Sequence, residues 1–343
     1  HRLRGSGRLQ PFPGALRLAA MQAFFHGCDL LAFFQFRSFL AGAEQLNYAI
    51  LDTDGVPRRR YREVQRLATD LQGLSGFLNQ TTIRNEVALV FDYRSLWAHL
   101  IKPVNTDFDY LKWCQEIHGA FRSLGIGLDI VAPDADLSPY RMVVLPAAIV
   151  METSLQSRLE TFVATGGLLL ATFLSSVKNG FNVATGNSLP DGMTKLFGMV
   201  VSEVEPVFPD TVINLTIDGK QLGQNRYWLE VLEADGAELV GRYDGSFRSG
   251  QGAISRHDFG RGSAWYLGTG LSGSELRNLV SRVAGHLGRV PFEIPSDVDV
   301  VVREQGRKDS YCVMNFRETP VTIRPGIRLR PLGTDNGERE EYV

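Results

Sequence analysis

The residues with the most chemical content stand at the end of an unbroken apolar run. LLAFFQF (Leu30–Phe36) closes on Gln35, Phe36 and Arg37, and Gly42-Ala43-Glu44 follows. The run has no polar alternation, which predicts a strand buried on both faces. An amide, a guanidinium and a carboxylate just past the carboxyl end of such a strand lie where α/β folds place their binding sites. Nucleophilic chemistry has weaker material. A reactive cysteine needs a sharp strand-to-helix elbow and a nearby histidine. The turns after the later strands hold Pro146-Ala147-Ala148 and Leu174-Ser175-Ser176, with no cysteine at either. Cys114 falls mid-helix among apolar residues, a poor place to stabilise a thiolate. Gly260-Arg261-Gly262 lacks the Lys-Ser/Thr of a phosphate loop and joins two strand-like segments, which predicts a hairpin turn. His257 and His286 stand alone, without the neighbours a ligand set needs.

Before the apolar run, Leu16, Ala19, Ala20, Ala23 and Phe24 recur at helical spacing, which predicts a helix over Ala15–His26 stopped by Gly27. After it come Tyr48–Leu51, a turn at Asp54-Gly55, and a helix over Arg59–Leu78 with Tyr61, Val64, Leu67, Leu71, Leu74 and Leu78 on one face. That is one and a half βα units, where a barrel needs eight. From Arg84 the pattern is strand (Glu86–Tyr93), helix (Asp107–Leu124), strands (Leu128–Ala132 and Tyr140–Pro146), helix (Ser154–Ala164) and strand (Leu168–Phe173). This alternation predicts a doubly wound parallel sheet. Turn-rich strands fill Thr185–Gly270, and a helix follows over Ser274–Leu287. Past Pro291 and Pro295, alternation in Val298, Val300, Val302 and in Tyr311, Val313, Asn315 predicts a small antiparallel sandwich.

The opening stretch carries a resemblance. Pro13-Gly14, Arg17, Gln22-Ala23, His26-Gly27-Cys28-Asp29, Phe33-Phe34-Gln35-Phe36-Arg37, Gly42-Ala43-Glu44 and Asp52-Thr53-Asp54-Gly55…Arg60 occur in order. Together they resemble the end of the catalytic barrel in family 42 glycoside hydrolases, the β-galactosidases. Phe36 stands where that family has Trp, and Asn47 where it has His. The phrases DLSPYRMVVLPAAIV and LETFVATGGLLLATF resemble the domain that follows the barrel in the same family. The fold class implied is α/β: a fragment of a (β/α)8 barrel (1–80), a class I glutamine amidotransferase-like (flavodoxin-like) trimerisation domain (81–290), and a small antiparallel β-sandwich (291–343).

The resemblance also assigns roles. Retaining glycoside hydrolysis needs two carboxylates about 5 Å apart, one as acid/base and one as nucleophile. In the family both precede the stretch matched here, so no residue of this chain is expected to be catalytic. The N-terminus, HRLRGSGRLQ, has no initiator Met and reads as a break inside a domain, whereas Val343 reads as close to a natural end. Glu44 matches a sugar-binding glutamate, and Phe34 an aromatic that packs in the galactose pocket. Arg37 holds either the loop or a carboxylate. Asn47 still donates and accepts hydrogen bonds, with a shorter reach than His. The expected partners are a galactoside substrate and two further copies in a homotrimer, with no cofactor and no metal. The alternative is a non-catalytic oligomerisation or scaffold protein derived from the same family.

Composition is consistent with this reading. The 343 residues leave room for two or three domains, and a net charge of -2 gives no electrostatic case for nucleic acid or an anionic membrane. Cys28, Cys114 and Cys312 have no metal-ligand spacing and read as reduced, buried thiols of a cytoplasmic protein. No apolar run reaches transmembrane length. Two further expectations concern surfaces. Apolar residues around Phe173–Phe181 and the Trp97 loop are expected to form an interface. Residues 1–80 are expected to be poorly ordered or aggregation-prone, because Leu30–Phe36 would lack neighbouring strands and bare an apolar edge.

Overall fold

The computed structural model describes residues 12–45, 47, 49–324 and 327–329, which divide into two units. Residues up to 84 and from 292 onward make one, and residues 85–291 the other.

In the first unit, Gly14 takes a left-handed conformation (φ 89°) and leads into α1 (Ala15–Phe25). Gly27 ends that helix at φ 93°, with its N–H on Phe24 O and the Cys28 N–H on Ala23 O. This paired capping motif is what a glycine at that position predicts. Helix α2 (Arg59–Gln80) opens on arginines, which a helix N-terminus disfavours. The preceding turn compensates: Asp54 takes a two-pronged contact from Arg58 (2.8 and 2.5 Å), and Asp52 pairs with Arg60. Leu67, Leu71 and Leu74 of α2 pack on Ala20 and Met21 of α1.

Leu30–Phe36 is not a strand. Among the described residues no strand runs beside it, so its backbone bonds only to its own loop, and Leu30, Phe34 and Phe36 are exposed. The neighbouring helices are nonetheless formed and covered. Their cover comes from the other end of the chain. Strands β13 (Val298–Gln305) and β14 (Lys308–Asn315) form an antiparallel hairpin, and Val301, Cys312 and Met314 pack with Leu18, Phe25 and Phe77. The helix-facing side is therefore the opposite of the alternation set expected from the sequence. Among the described residues the strands of the expected sandwich are those of this hairpin, and residues 325–326 and 330–343 lie outside the described residues. Arg303, on the same face of β13, is 6% exposed and uses all five of its N–H donors. It donates to Thr81 Oγ1 and O (2.8 Å each), Leu78 O (3.0 Å), and Phe24 O and Phe25 O (3.2 Å each).

The second unit is built on parallel strands β1 (Val87–Val90), β2 (Leu128–Val131), β3 (Met142–Leu145), β4 (Leu168–Thr172) and β11 (Gly262–Leu267). Their spatial order is β2-β1-β3-β4-β11, the flavodoxin-type winding. Helices α4 (Tyr110–Arg122) and α7 (Gly273–Ala284) cover one face with Trp113, Ile117, Phe121, Leu276 and Val280. Helices α5 (Thr153–Ala164) and α6 (Thr194–Phe197) cover the other with Leu155, Leu159, Val163 and Phe197. Between β4 and β11, strands β5 (Met199–Pro206), β6 (Asn214–Ile217), β7 (Lys220–Gln224), β8 (Arg226–Ala234), β9 (Glu238–Asp244) and β10 (Gly252–Phe259) extend the sheet in antiparallel fashion, and β12 (Thr269–Gly270) pairs with β8. Phe259 pairs with Gly262, so Gly260-Arg261 is the expected two-residue hairpin turn, with Gly260 at φ 61°. The first strand is shorter than expected: Asp92 caps a helix, α3 (Tyr93–Ile101), by accepting from Arg94 N at 2.9 Å.

Candidate functional site

The four site residues expected from the sequence fall on one segment, Phe34–Asn47. Its base is closed by Ile50 N–H on Gln35 O (3.0 Å), Leu51 N–H on Phe36 O (2.8 Å) and Ser38 N–H on Leu51 O (3.1 Å). Phe34 is 78% exposed. The Arg37 guanidinium donates twice to Thr53 O (2.6 and 3.2 Å), so of the two roles open to it the geometry is that of holding the loop. Asn47 Nδ2 donates to the Glu44 carboxylate, and Asn47 O accepts from Ser38 Oγ at 2.7 Å. Glu44 and Asn47 thus form one hydrogen-bonded pair of exposed groups, with lone pairs left for a ligand hydroxyl. One residue of this segment, Ser38, escaped the sequence reading, and the environment of Gln35 was not foreseen. Ser38 is buried and fixes Asn47, and Gln35 is buried with neither side-chain amide atom bonded.

Other carboxylates of the same unit are committed. Asp52 and Asp54 are paired with Arg58 and Arg60, and Asp70 with Arg17 (2.6 Å). Glu63 pairs with Arg59 (3.2 Å) and accepts from Gly14 N (2.8 Å). Hydrogen bonds from Arg58 hold Asp54 well below the usual carboxylate range. These four carboxylates are each bound to an arginine rather than left open toward a substrate.

In the second unit, the turn after β3 has the strained geometry of a nucleophile elbow without the nucleophile. Ala147 is buried at φ 43°. Its N–H donates to Thr172 Oγ1 (2.8 Å), and its carbonyl accepts from His99 Nε2 (3.0 Å), which must therefore carry the proton. Burial drives the His99 pKa down to about 4 and pushes the Cys114 thiol up to about 12, so neither is set up for thiolate chemistry. Of the three expected buried thiols, Cys114 and Cys312 are buried and Cys28 is partly exposed. A cleft of about 540 Å³ at the amino ends of β4 and β11 holds Arg256, Arg261 and Arg282. All three are engaged, with Asp258, Thr165 O and Asp218 respectively. Among the described residues no cluster of three or more His, Cys, Asp or Glu could hold a metal, and no helix is long and apolar enough to cross a membrane.

Glu230 is the exceptional carboxylate. It is fully buried and accepts from Leu174 N (2.9 Å) and Tyr266 Oη (2.8 Å), and burial pushes it up to about 7 from an ordinary 4.5. Between those values the folded chain holds a proton that the unfolded chain has released, so stability falls as pH rises through the window. The expected cost is on the order of 3 kcal/mol. Glu230→Gln keeps an acceptor for Leu174 N and removes the ionisation. The difference between wild-type and variant unfolding free energies, from urea titrations at pH 5 and pH 8, should shift by that amount in favour of the variant at pH 8. A constant difference would refute the assignment.

Comparison with known proteins bears on both units. Residues 6–74 match the family described as β-galactosidase, and residues 85–288 match the family described as β-galactosidase trimerisation domain. The β-galactosidase BgaA of Planococcus is 27% identical over 94% of this chain and 49% of its own length. BgaH of Haloferax lucentense is 32% identical over 92% of this chain and 46% of its own. The crystal structure of a Bacillus circulans β-galactosidase superposes with a TM-score of 0.90 at 24% identity, covering 98% of this chain and 52% of that one. The β-galactosidase of the Antarctic haloarchaeon Halorubrum lacusprofundi superposes with a TM-score of 0.79 at 31% identity, over 86% and 44%. The chain spans about half the length of the curated relatives it matches.

Proposed function

The chain belongs to the family 42 β-galactosidases, and from that premise we propose that it serves the retaining hydrolysis of terminal β-D-galactose residues as the part that carries the sugar-binding rim and the trimer surface. The observation behind this is the Glu44–Asn47 pair on a loop closed against the exposed Phe34 segment. A carboxylate that accepts and an amide that donates suit the vicinal hydroxyls of a hexose, and an open aromatic ring suits its apolar face. Arg37 contributes by fixing the loop through Thr53 O. Nucleophilic attack and proton transfer fall to carboxylates on other strands of the family's barrel. The second unit is read as the amidotransferase-like trimerisation domain, and the setting as cytoplasmic, where Cys28, Cys114 and Cys312 would stay reduced thiols.

The test of the rim is made in enzyme reassembled from this chain and the remaining barrel segment of a relative. Glu44→Gln should lower kcat/KM by roughly 10- to 100-fold, or about 1.5–3 kcal/mol, through loss of a charge-assisted hydrogen bond in the transition state. An unchanged kcat/KM would remove Glu44 from the sugar site. The scaffold reading predicts no galactosidase activity in any reassembled form.

A further inference from the structure

We propose that the apolar patch made by Tyr93, Trp97, Leu100 and Ile101 on α3, with Phe181 and Val183 on the loop after β4, is the surface on which a second copy of this chain docks. The proposal rests on the reading of residues 85–288 as a trimerisation domain and specifies its contact.

Helix α3 is amphipathic in an unusual sense. It turns small residues, Ser95 and Ala98, to the interior and leaves its large apolar residues in water at i, i+4, i+7 and i+8. The Tyr93 and Trp97 rings lie 6.0 Å apart, and Tyr93 stands edge-on to Phe91 at 5.1 Å, so the stripe is ordered before any partner arrives. The loop that carries Phe181 is equally fixed. Asn179 Oδ1 accepts from Phe181 N (3.0 Å) and Val183 N (3.2 Å), Lys178 Nζ donates to Asn182 Oδ1 (2.8 Å), and Phe181 is 90% exposed. Glu152 joins the two pieces: its carboxylate pairs with Arg94 of α3, and its side chain lies against Gly180, where a Cβ would come within 3.1 Å. Phe173, expected in this surface, is fully buried and takes no part, because it packs on Trp113 and Phe108.

The area argues for a protein partner of the same kind. With aromatic side chains carrying roughly 150–250 Å² each, the three rings at their observed exposures leave on the order of 400 Å² in water. That equals the largest patch on a typical monomer and is about half of what one partner of a standard interface buries; the three aliphatic chains enlarge it. Tyr, Trp and Phe are the residue types that dominate such contacts. The charges at the seam, Arg94 and Glu152, are already paired with each other, so the patch has no preference for a polyanion. In a closed ring of three, each copy would present this patch to a different surface of the next.

Sedimentation velocity of the full 343-residue chain at micromolar concentration decides the matter. Wild type should sediment as three chains, and Trp97→Glu and Phe181→Asp should each reduce the mass threefold with the circular dichroism unchanged. Phe247→Asp, at another exposed aromatic outside the patch, should stay trimeric. Should Trp97→Glu fail to fold, Phe181→Asp decides alone, since that side chain supports no core. Folded variants that remain trimeric overturn the location of the contact and leave the trimer reading intact. A monomeric wild type overturns both.

Discussion

Replacing Arg303 by methionine is expected to unfold residues 12–84 while residues 85–291 stay folded. The guanidinium is the common cap of α1 and α2, whose last carbonyls would otherwise face a buried space without donors. It also places a positive charge at the negative ends of two helix dipoles. Methionine would fill much of the volume and restore none of the bonds. Each acceptor left buried and unpaired costs about 1–3 kcal/mol, so a loss on the order of 3–5 kcal/mol is conservative. A unit this small has little more than that to lose. Amide hydrogens of α1 and α2 should then exchange on the order of a hundred- to a thousandfold faster. Arg303→Lys should recover only part of the protection, because a single ammonium cannot span both helix ends. Equal protection in wild type and Arg303→Met would mean that the hairpin merely rests on the helices.

Local signals in the sequence were reliable where one residue decides the geometry. Gly27 announced the end of α1, and Gly260-Arg261 a hairpin, because each needs a left-handed conformation that few other residues adopt. The alternating pattern of the second unit yielded a doubly wound sheet because each buried strand there has its partners within the chain. Leu30–Phe36 shows the limit: an apolar run states a preference for burial, but only neighbouring strands can make it a strand, and none is described beside it. Helix α3 was misread for the converse reason, since its apolar residues face outward and continue the hydrophobic run of β1. The inner face of the C-terminal hairpin was concealed by Arg303, a charge that is buried because it serves two helices. In the proposed site, Phe34, Arg37, Glu44 and Asn47 rest on resemblance. What the residues alone did not convey is that Glu44 and Asn47 bond to each other and that Ser38 fixes Asn47.

A second large effect is expected in catalysis. Glu44 is hydrogen-bonded to an amide, and Asp52, Asp54, Glu63 and Asp70 are held by arginines. Among the described residues of this rim no second carboxylate is set opposite Glu44, so the chain by itself should fall short of an assembled galactosidase by on the order of a millionfold or more. Adding the remaining barrel segment of a relative such as the Haloferax enzyme should restore turnover, with this chain supplying the rim. The most direct measurement is release of nitrophenol from a nitrophenyl β-galactoside by the purified 343-residue chain, before and after that segment is added. The account predicts background release before and turnover after. Steady turnover by the chain alone that disappears in Glu44→Gln would contradict it, since Glu44 would then be doing the chemistry assigned here to carboxylates elsewhere in the barrel.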